Sequence, residues 1–315
     1  MSSAPDSTDP PAPSRGMPHG APYHALRVAM SHHPWWRIAL ETMCVLSLWF
    51  LLAAAAWLAV AGLAALTGDE VVDLQPTHLA WQLASLSLGL AVLVPSVKLA
   101  ARWLQGRPAG SLSSVAGRLR WRWLVACAGW AALALALVIA GQLVAGQLAG
   151  GGADSGESSG GGEWVGWSVY APTLAAIALL TPLQAAGEEY FFRGWLLQAM
   201  AGRAGAPWMA VAVSSALFVA AHGRTEPLVA ANLAVVALAA SWVTIRTGGL
   251  EAAIALHAVN NVFGLALDAI DGSLVMPDAA TADLAGTALQ MAGVVAYAAW
   301  IARVAARRGI SDRAR

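Results

Sequence analysis

Charge is what this sequence has least of: Asp, Glu, Lys and Arg make up only 11% of its 315 residues. A soluble domain averages about 25%, so the chain lacks the polar surface to stay in water. Acidic and basic residues balance at 18 each, which argues against a nucleic-acid partner. Cysteine is nearly missing too. Cys44 and Cys127 stand far apart in apolar runs, which excludes a disulfide framework and a cysteine metal site, and both read as lipid- or helix-packed residues. HExxH does not occur, so the usual zinc-protease helix is excluded.

Residues 1–34 lack any hydrophobic period and are rich in Pro, Ser, His and Gly. They read as a disordered cytoplasmic tail. No apolar stretch and no small-residue cleavage site mark a signal peptide there. Its histidines, His19, His24, His32 and His33, could bind metal loosely, although such tails rarely hold a fixed site.

Apolar length is what the chain has in abundance, with 58% hydrophobic residues and a mean hydropathy of +0.61. A helix needs roughly 20 apolar residues to cross the hydrocarbon core. Runs near 38–66, 79–103, 122–149, 166–200, 207–223, 228–245, 250–268 and 284–306 predict an all-α polytopic membrane protein of about eight transmembrane helices. Three N-terminal helices occupy 35–150, a helix core 165–270, and a last helix with a basic tail 284–315.

Two loops, "GDEVVDLQPTH" and "GGGADSGESSGGGEW", carry no Lys or Arg. With the N-terminus inside, all 18 basic residues except Arg224 fall on the inner side, as the positive-inside rule requires. The expectation is a multi-pass protein of the cell (plasma) membrane with both termini cytoplasmic. Trp35, Trp36, Trp81, Trp103, Trp121, Trp123, Trp164, Trp167, Trp208 and Trp300 fall near the predicted helix edges, where interfacial tryptophans belong.

Ionisable groups inside such helices are costly and usually functional. They cluster in three stripes of the C-terminal half. In "GEEYFFRG", Glu189 and Arg193 are four apart and share a helix face, most simply as a structural ion pair. Glu188 points about 100° away, free for another task. Phe218 and His222 form a second four-residue pair and His257 and Asn261 a third; Asn260 is rotated off that face. Singly, such a histidine or asparagine could equally join helices by hydrogen bonds, and Phe218 reads as packing that shapes a pocket. The helix between the last two stripes offers nothing comparable. Outside them Glu41 is the main exception; it lies near an inner helix end, within reach of the interface or of Arg37 four residues away.

Measured from the turn near Arg203, Glu188 and His222 lie about 22 and 28 Å along their helices. From the turn near Gly248, His257 and Asn261 lie roughly 14 and 20 Å in. The stripes meet if the two turns are offset by several ångströms.

"EEYFFR" fits EExxxR, "FVAAH" fits FxxxH and "HAVNN" fits HxxxN, in that order. Over roughly residues 165–270 the chain resembles the CPBP intramembrane proteases, which include type II CAAX prenyl proteases and bacteriocin self-immunity proteins. The resemblance implies peptide-bond hydrolysis within the membrane. Glu188 would then be the general base on a water, His222 would hold or activate that water, and His257 with Asn261 would stabilise the oxyanion. Arg193 would hold Glu189 and fix the helix around the base. A divalent metal such as zinc, on His222, His257 and Glu188, is the alternative version.

The implied partner is a membrane-associated peptide or protein, prenylated or not. Two other functions suit the same residues. A non-catalytic immunity or scaffold protein would use the polar core for packing and would tolerate Glu188→Gln. A proton-coupled transporter would use Glu and His as a relay, yet no repeated halves are evident.

Overall fold

The computed structural model describes residues 17–30, 34, 36–148, 163–204, 207–272 and 284–315. Every one of the eight apolar runs forms helix. They are α2 (Trp36–Leu66), α3 (Leu79–Ala91) with α4 (Leu93–Trp103), α5 (Trp121–Leu148), α6 (Trp167–Glu189) with α7 (Leu197–Ala204), α8 (Pro207–Ala221), α9 (Pro227–Thr247), α10 (Glu251–Asp268) and α11 (Leu284–Arg307). Among the described residues, six helical spans are long and apolar enough to cross a membrane. The other two differ for physical reasons. At 15 residues α8 reaches only about 22 Å, while α10 buries its whole first half, Glu251 to Ala258, against protein.

Lipid-facing surface is plain in α2, whose most apolar stretch is only 11% buried within the protein. One apolar run splits into α3 and α4 at Val92. Pro95 has no N–H to offer the Ala91 carbonyl, so the helical ladder is interrupted there. At the opposite side of the break, Gly187 of α6 sits against the α3 backbone, and a Cβ there would collide with the Leu90 carbonyl. The small hairpin of β1 (Val71–Val72) and β2 (Gln75–Pro76) supplies the only sheet among the described residues.

The expectation of a disordered tail over 1–34 does not hold for residues 17–30. Tyr23, Leu26 and Met30 enter a hydrophobic core with Val97, Leu112 and Ala314. Within this segment a 3₁₀ turn (Tyr23–Ala25) leads into the short helix α1 (Leu26–Met30). Tyr23 donates to the Leu112 carbonyl at 2.6 Å, and buried Arg27 pairs with Glu41 at 3.0 Å. Glu41 also faces Arg37 at 3.6 Å and accepts from Gln105 at 2.7 Å, so it is a buried hub and does not reach the interface. Composition alone hid this, because so few apolar residues anchor the segment. His32, His33 and Trp35 lie outside the described residues.

The segments assigned to the inner side share one end of the bundle. Gly20 donates to the Ala314 carbonyl at 2.8 Å and Ala314 returns a bond to Ala21 at 2.9 Å. Val115 likewise donates to Gly248 at 2.8 Å. Arg27, Arg107 and Arg193, however, are buried in protein, so the charge asymmetry rests on fewer solvent-facing groups than the sequence suggested. Trp123 departs from the interfacial set as well: it is 4% exposed and packs with Cys127 and Tyr297. Cys44, by contrast, is exposed.

Candidate active site

The site is built where α6, α8, α9 and α10 meet. The chain runs from α6 into a π-helical turn, Tyr190–Leu196, immediately after the two glutamates. Such turns are rare and mark functional positions more often than ordinary helix. Gly194 lies within the turn, where a Cβ would come within 3.4 Å of the Leu112 carbonyl.

Arg193, fully buried, donates to Glu189 Oε1 at 2.9 Å. The same oxygen faces Nδ1 of His257 at 2.8 Å. A carboxylate can only accept, so Nδ1 of His257 carries the proton. Glu189 is therefore committed to two partners, one on its own helix and one on α10. Arg193 also reaches the Ala237 carbonyl of α9 at 3.3 Å, so the helix that offered no polar side chain contributes its backbone instead.

Glu188 is the other carboxylate, buried beside this pair and within electrostatic reach of both His257 and Arg193. Its Oε1 accepts from Gln184 at 2.9 Å. Gln184 was not singled out from sequence, although its four-residue spacing to Glu188 on one helix was the available signal.

Phe218 joins the histidines. Its ring lies 4.4 Å from that of His222 and 6.0 Å from that of His257. The Arg193 guanidinium stands 4.3 Å from the Phe218 ring centre, a cation–π contact. His222 lies just past the end of α8, and its Nδ1 is 2.8 Å from the Phe218 carbonyl. That carbonyl too can only accept. In neutral form, then, both histidines present an unprotonated Nε2. Asn261 is half-buried on α10, one turn beyond His257 and on the same face.

The structure thus gathers Glu188, Glu189, Arg193, Phe218, His222 and His257, and places Asn261 one turn away. Two sequence expectations change. His257 is a partner of Glu189, so a hydrogen bond from its Nε2 to an oxyanion requires the imidazolium form. Moreover, no group of three His, Cys, Asp or Glu residues that could hold a metal occurs among the described residues. Glu188, His222 and His257 do not make the three-ligand zinc site, and the metalloprotease version is unsupported. His19 and His24 form no such group either.

Polar capacity remains inside the cluster. Glu189 Oε2 and Arg193 Nε are buried without a hydrogen-bond partner. Such groups are few in native proteins and call for an explanation; here they leave one acceptor and one donor beside Glu188.

One segment of the chain matches a known family. Residues 169–263 match the family described as Type II CAAX prenyl endopeptidase Rce1-like. All three motifs, from Glu188 to Asn261, fall inside the Rce1-like segment, which bears out the resemblance read from them. The uncharacterized protein YyaK of Bacillus subtilis (strain 168) is 29% identical over 205 residues, 63% of this chain and 62% of its own length. An uncharacterized 24.3 kDa protein of Escherichia coli is 38% identical over 95 residues, 30% of this chain and 42% of its own length. The aligned stretch therefore spans less than two thirds of either relative. No solved structure matches the chain.

Another residue had escaped the sequence reading. Glu251, fully buried at the start of α10, pairs with Arg120 at 2.7 Å. An acidic residue in a helix first turn reads as a dipole partner, and nothing local announced its partner 131 residues away.

Proposed function

We propose that this protein is an intramembrane endopeptidase that hydrolyses peptide bonds of membrane-associated substrates. One observation carries the reading: Glu189 is committed to Arg193 and His257 at 2.9 and 2.8 Å, while Glu188 stands beside it, bonded to Gln184 and with no ion-pair partner of its own among the described residues. A purely structural ion pair has no use for the second carboxylate or for two histidines beside it.

Glu188 takes a proton from a water molecule, which attacks the scissile carbonyl carbon. Nε2 of His222 accepts a hydrogen bond from that water and aligns it. The developing oxyanion is met by the side-chain amide of Asn261 and by His257, whose charged form Glu189 would hold in place. The proton on Glu188 then passes to the leaving amine, and the products are a new carboxylate and a new amino terminus. Phe218 and Arg193 keep the imidazoles and Glu189 at fixed distances.

The proposed topology has eight helices crossing or entering the bilayer of the cell membrane, with both termini cytoplasmic. The sharing of one bundle end by the two terminal segments and the basic loops supports it. The family's name points to C-terminal peptides on a prenylated cysteine as the first substrates to try. The test is cleavage by purified protein in liposomes, wild type beside Glu188→Gln, against prenylated, unprenylated and membrane-anchored peptides. Cleavage by the wild type alone supports the reading; equal cleavage by both removes Glu188 as the base. Proton-coupled uptake by the same liposomes would instead favour a transporter.

A further inference from the structure

Outside the site, Arg120 is hydrogen-bonded through all three of its guanidinium nitrogens. It lies just before α5, and its Nε donates to Glu251 Oε1 at 2.9 Å while Nη2 donates to Oε2 at 2.7 Å. The Arg120 backbone N–H adds a bond to the same Oε1 at 2.8 Å. Nη2 also reaches the Thr247 carbonyl at 2.9 Å, and Nη1 the Ser311 carbonyl at 3.3 Å. One guanidinium thus ties together the end of α9, the start of α10 and the C-terminal segment.

The backbone is built around this contact. Gly248 takes φ +67°, the left-handed region, to turn the chain out of α9. At Gly249 a Cβ would collide with Glu251 Oε2 and with Arg120 Nη2. Leu250 N donates to Ser113 at 3.0 Å, beside the Val115–Gly248 bond. The first residue of α10 is therefore held from three sides, and its helix has no side-chain cap of the ordinary kind. Bidentate arginine–carboxylate pairs add geometric specificity as well as energy.

We infer that the Arg120–Glu251 pair is a positioning device that sets the depth of α10, and through it the placement of His257 against Glu189. His257 lies six residues after Glu251, about 9 Å along the same helix. An α-helix is stiff over that length, so a shift at Glu251 is carried along it to the imidazole. The catalytic part of this inference rests on the endopeptidase reading; the His257–Glu189 part does not.

The experiment uses the full chain in lipid nanodiscs, with ¹⁵N-labelled histidine, for wild type, Glu251→Gln, Arg120→Lys and the swapped pair Arg120→Glu with Glu251→Arg. The first readout is the Nδ1–H resonance of His257, assigned by its loss in His257→Gln, which reports the bond to Glu189. The second is kcat and KM on a cleaved peptide. The wild type is expected to show the downfield, protected resonance. Glu251→Gln and Arg120→Lys are expected to lose or shift it while retaining helix content, and kcat falls on the order of a hundredfold with KM little changed. The swapped pair recovers part of both. An unchanged His257 resonance in a folded Glu251→Gln overturns the inference. Should Glu251→Gln fail to fold, Arg120→Lys decides by the same criterion, since it keeps the charge and loses the fork. If the wild type shows the resonance but cleaves no peptide, the endopeptidase reading fails and the positioning role is still judged by the resonance.

Discussion

His257 Nδ1 lies 2.8 Å from Glu189 Oε1, a bond between side chains 68 residues apart. It converts what would be a local ion pair on α6 into a bridge between the helices that carry EExxxR and HxxxN. It also separates the two neighbouring glutamates by role, because the one that holds Arg193 and His257 has little freedom to do anything else.

Glu188→Gln is therefore expected to be silent for folding and decisive for turnover. The isosteric amide still meets Gln184, so helix content and melting temperature stay near wild type. A positioned general base contributes typically ~10²–10⁴-fold, and a loss of that size in peptide cleavage is expected. Wild-type turnover by the variant would end the assignment.

Arg193→Met should behave in the opposite way. Removing one partner of a buried ion pair leaves the other charge uncompensated and costs about 3–5 kcal/mol. Met roughly conserves the volume over Phe218, so the loss reports charge and not a cavity. A thermal melt in detergent, followed by circular dichroism, measures it; a wild-type midpoint would show that Glu189 is adequately held by His257 alone.

Gly187→Ala adds one methyl where α6 meets the α3 backbone. The carbonyl of Leu90 occupies the space a Cβ needs, and backbone cannot rotate away as a side chain can. Overpacking of this kind costs typically ~1–3 kcal/mol. Because the next residue is Glu188, cleavage should fall along with the melting temperature. Retention of both would mean that α6 slides freely past the break at Val92.

Chelators should leave peptide cleavage unchanged. The donors that might have held a divalent ion are not grouped for it among the described residues. Loss of activity in chelator, restored by added zinc, would reverse this expectation and require the ligands to be sought again.

How much could be read in advance follows from the range of each interaction. The Glu189–Arg193 pair was legible because four residues on one helix bring two side chains together whatever the rest of the chain does. The Phe218–His222 contact was legible for the same reason. The Glu189–His257 and Arg120–Glu251 bonds were not, since both join residues brought near only by helix packing. The tail expected over 1–34 misled for a related reason: a few residues, Tyr23, Leu26 and Arg27, fold because core and counter-charge await them elsewhere. Where propensity and tertiary context disagree, context wins.

The sequence by itself determined that the chain is a bundle of apolar helices and which polar residues share a helix face, since both follow from composition and from the 3.6-residue period. It also determined the order of the three motifs that the Rce1-like match covers. Tertiary structure decided which histidine is tethered to Glu189, and that the described residues do not compose a three-ligand metal site. Those outcomes depend on the depth and rotation of α6, α8 and α10 relative to one another. Side-chain bonds reach about 3 Å, and a periodic pattern does not place separate helices to that tolerance.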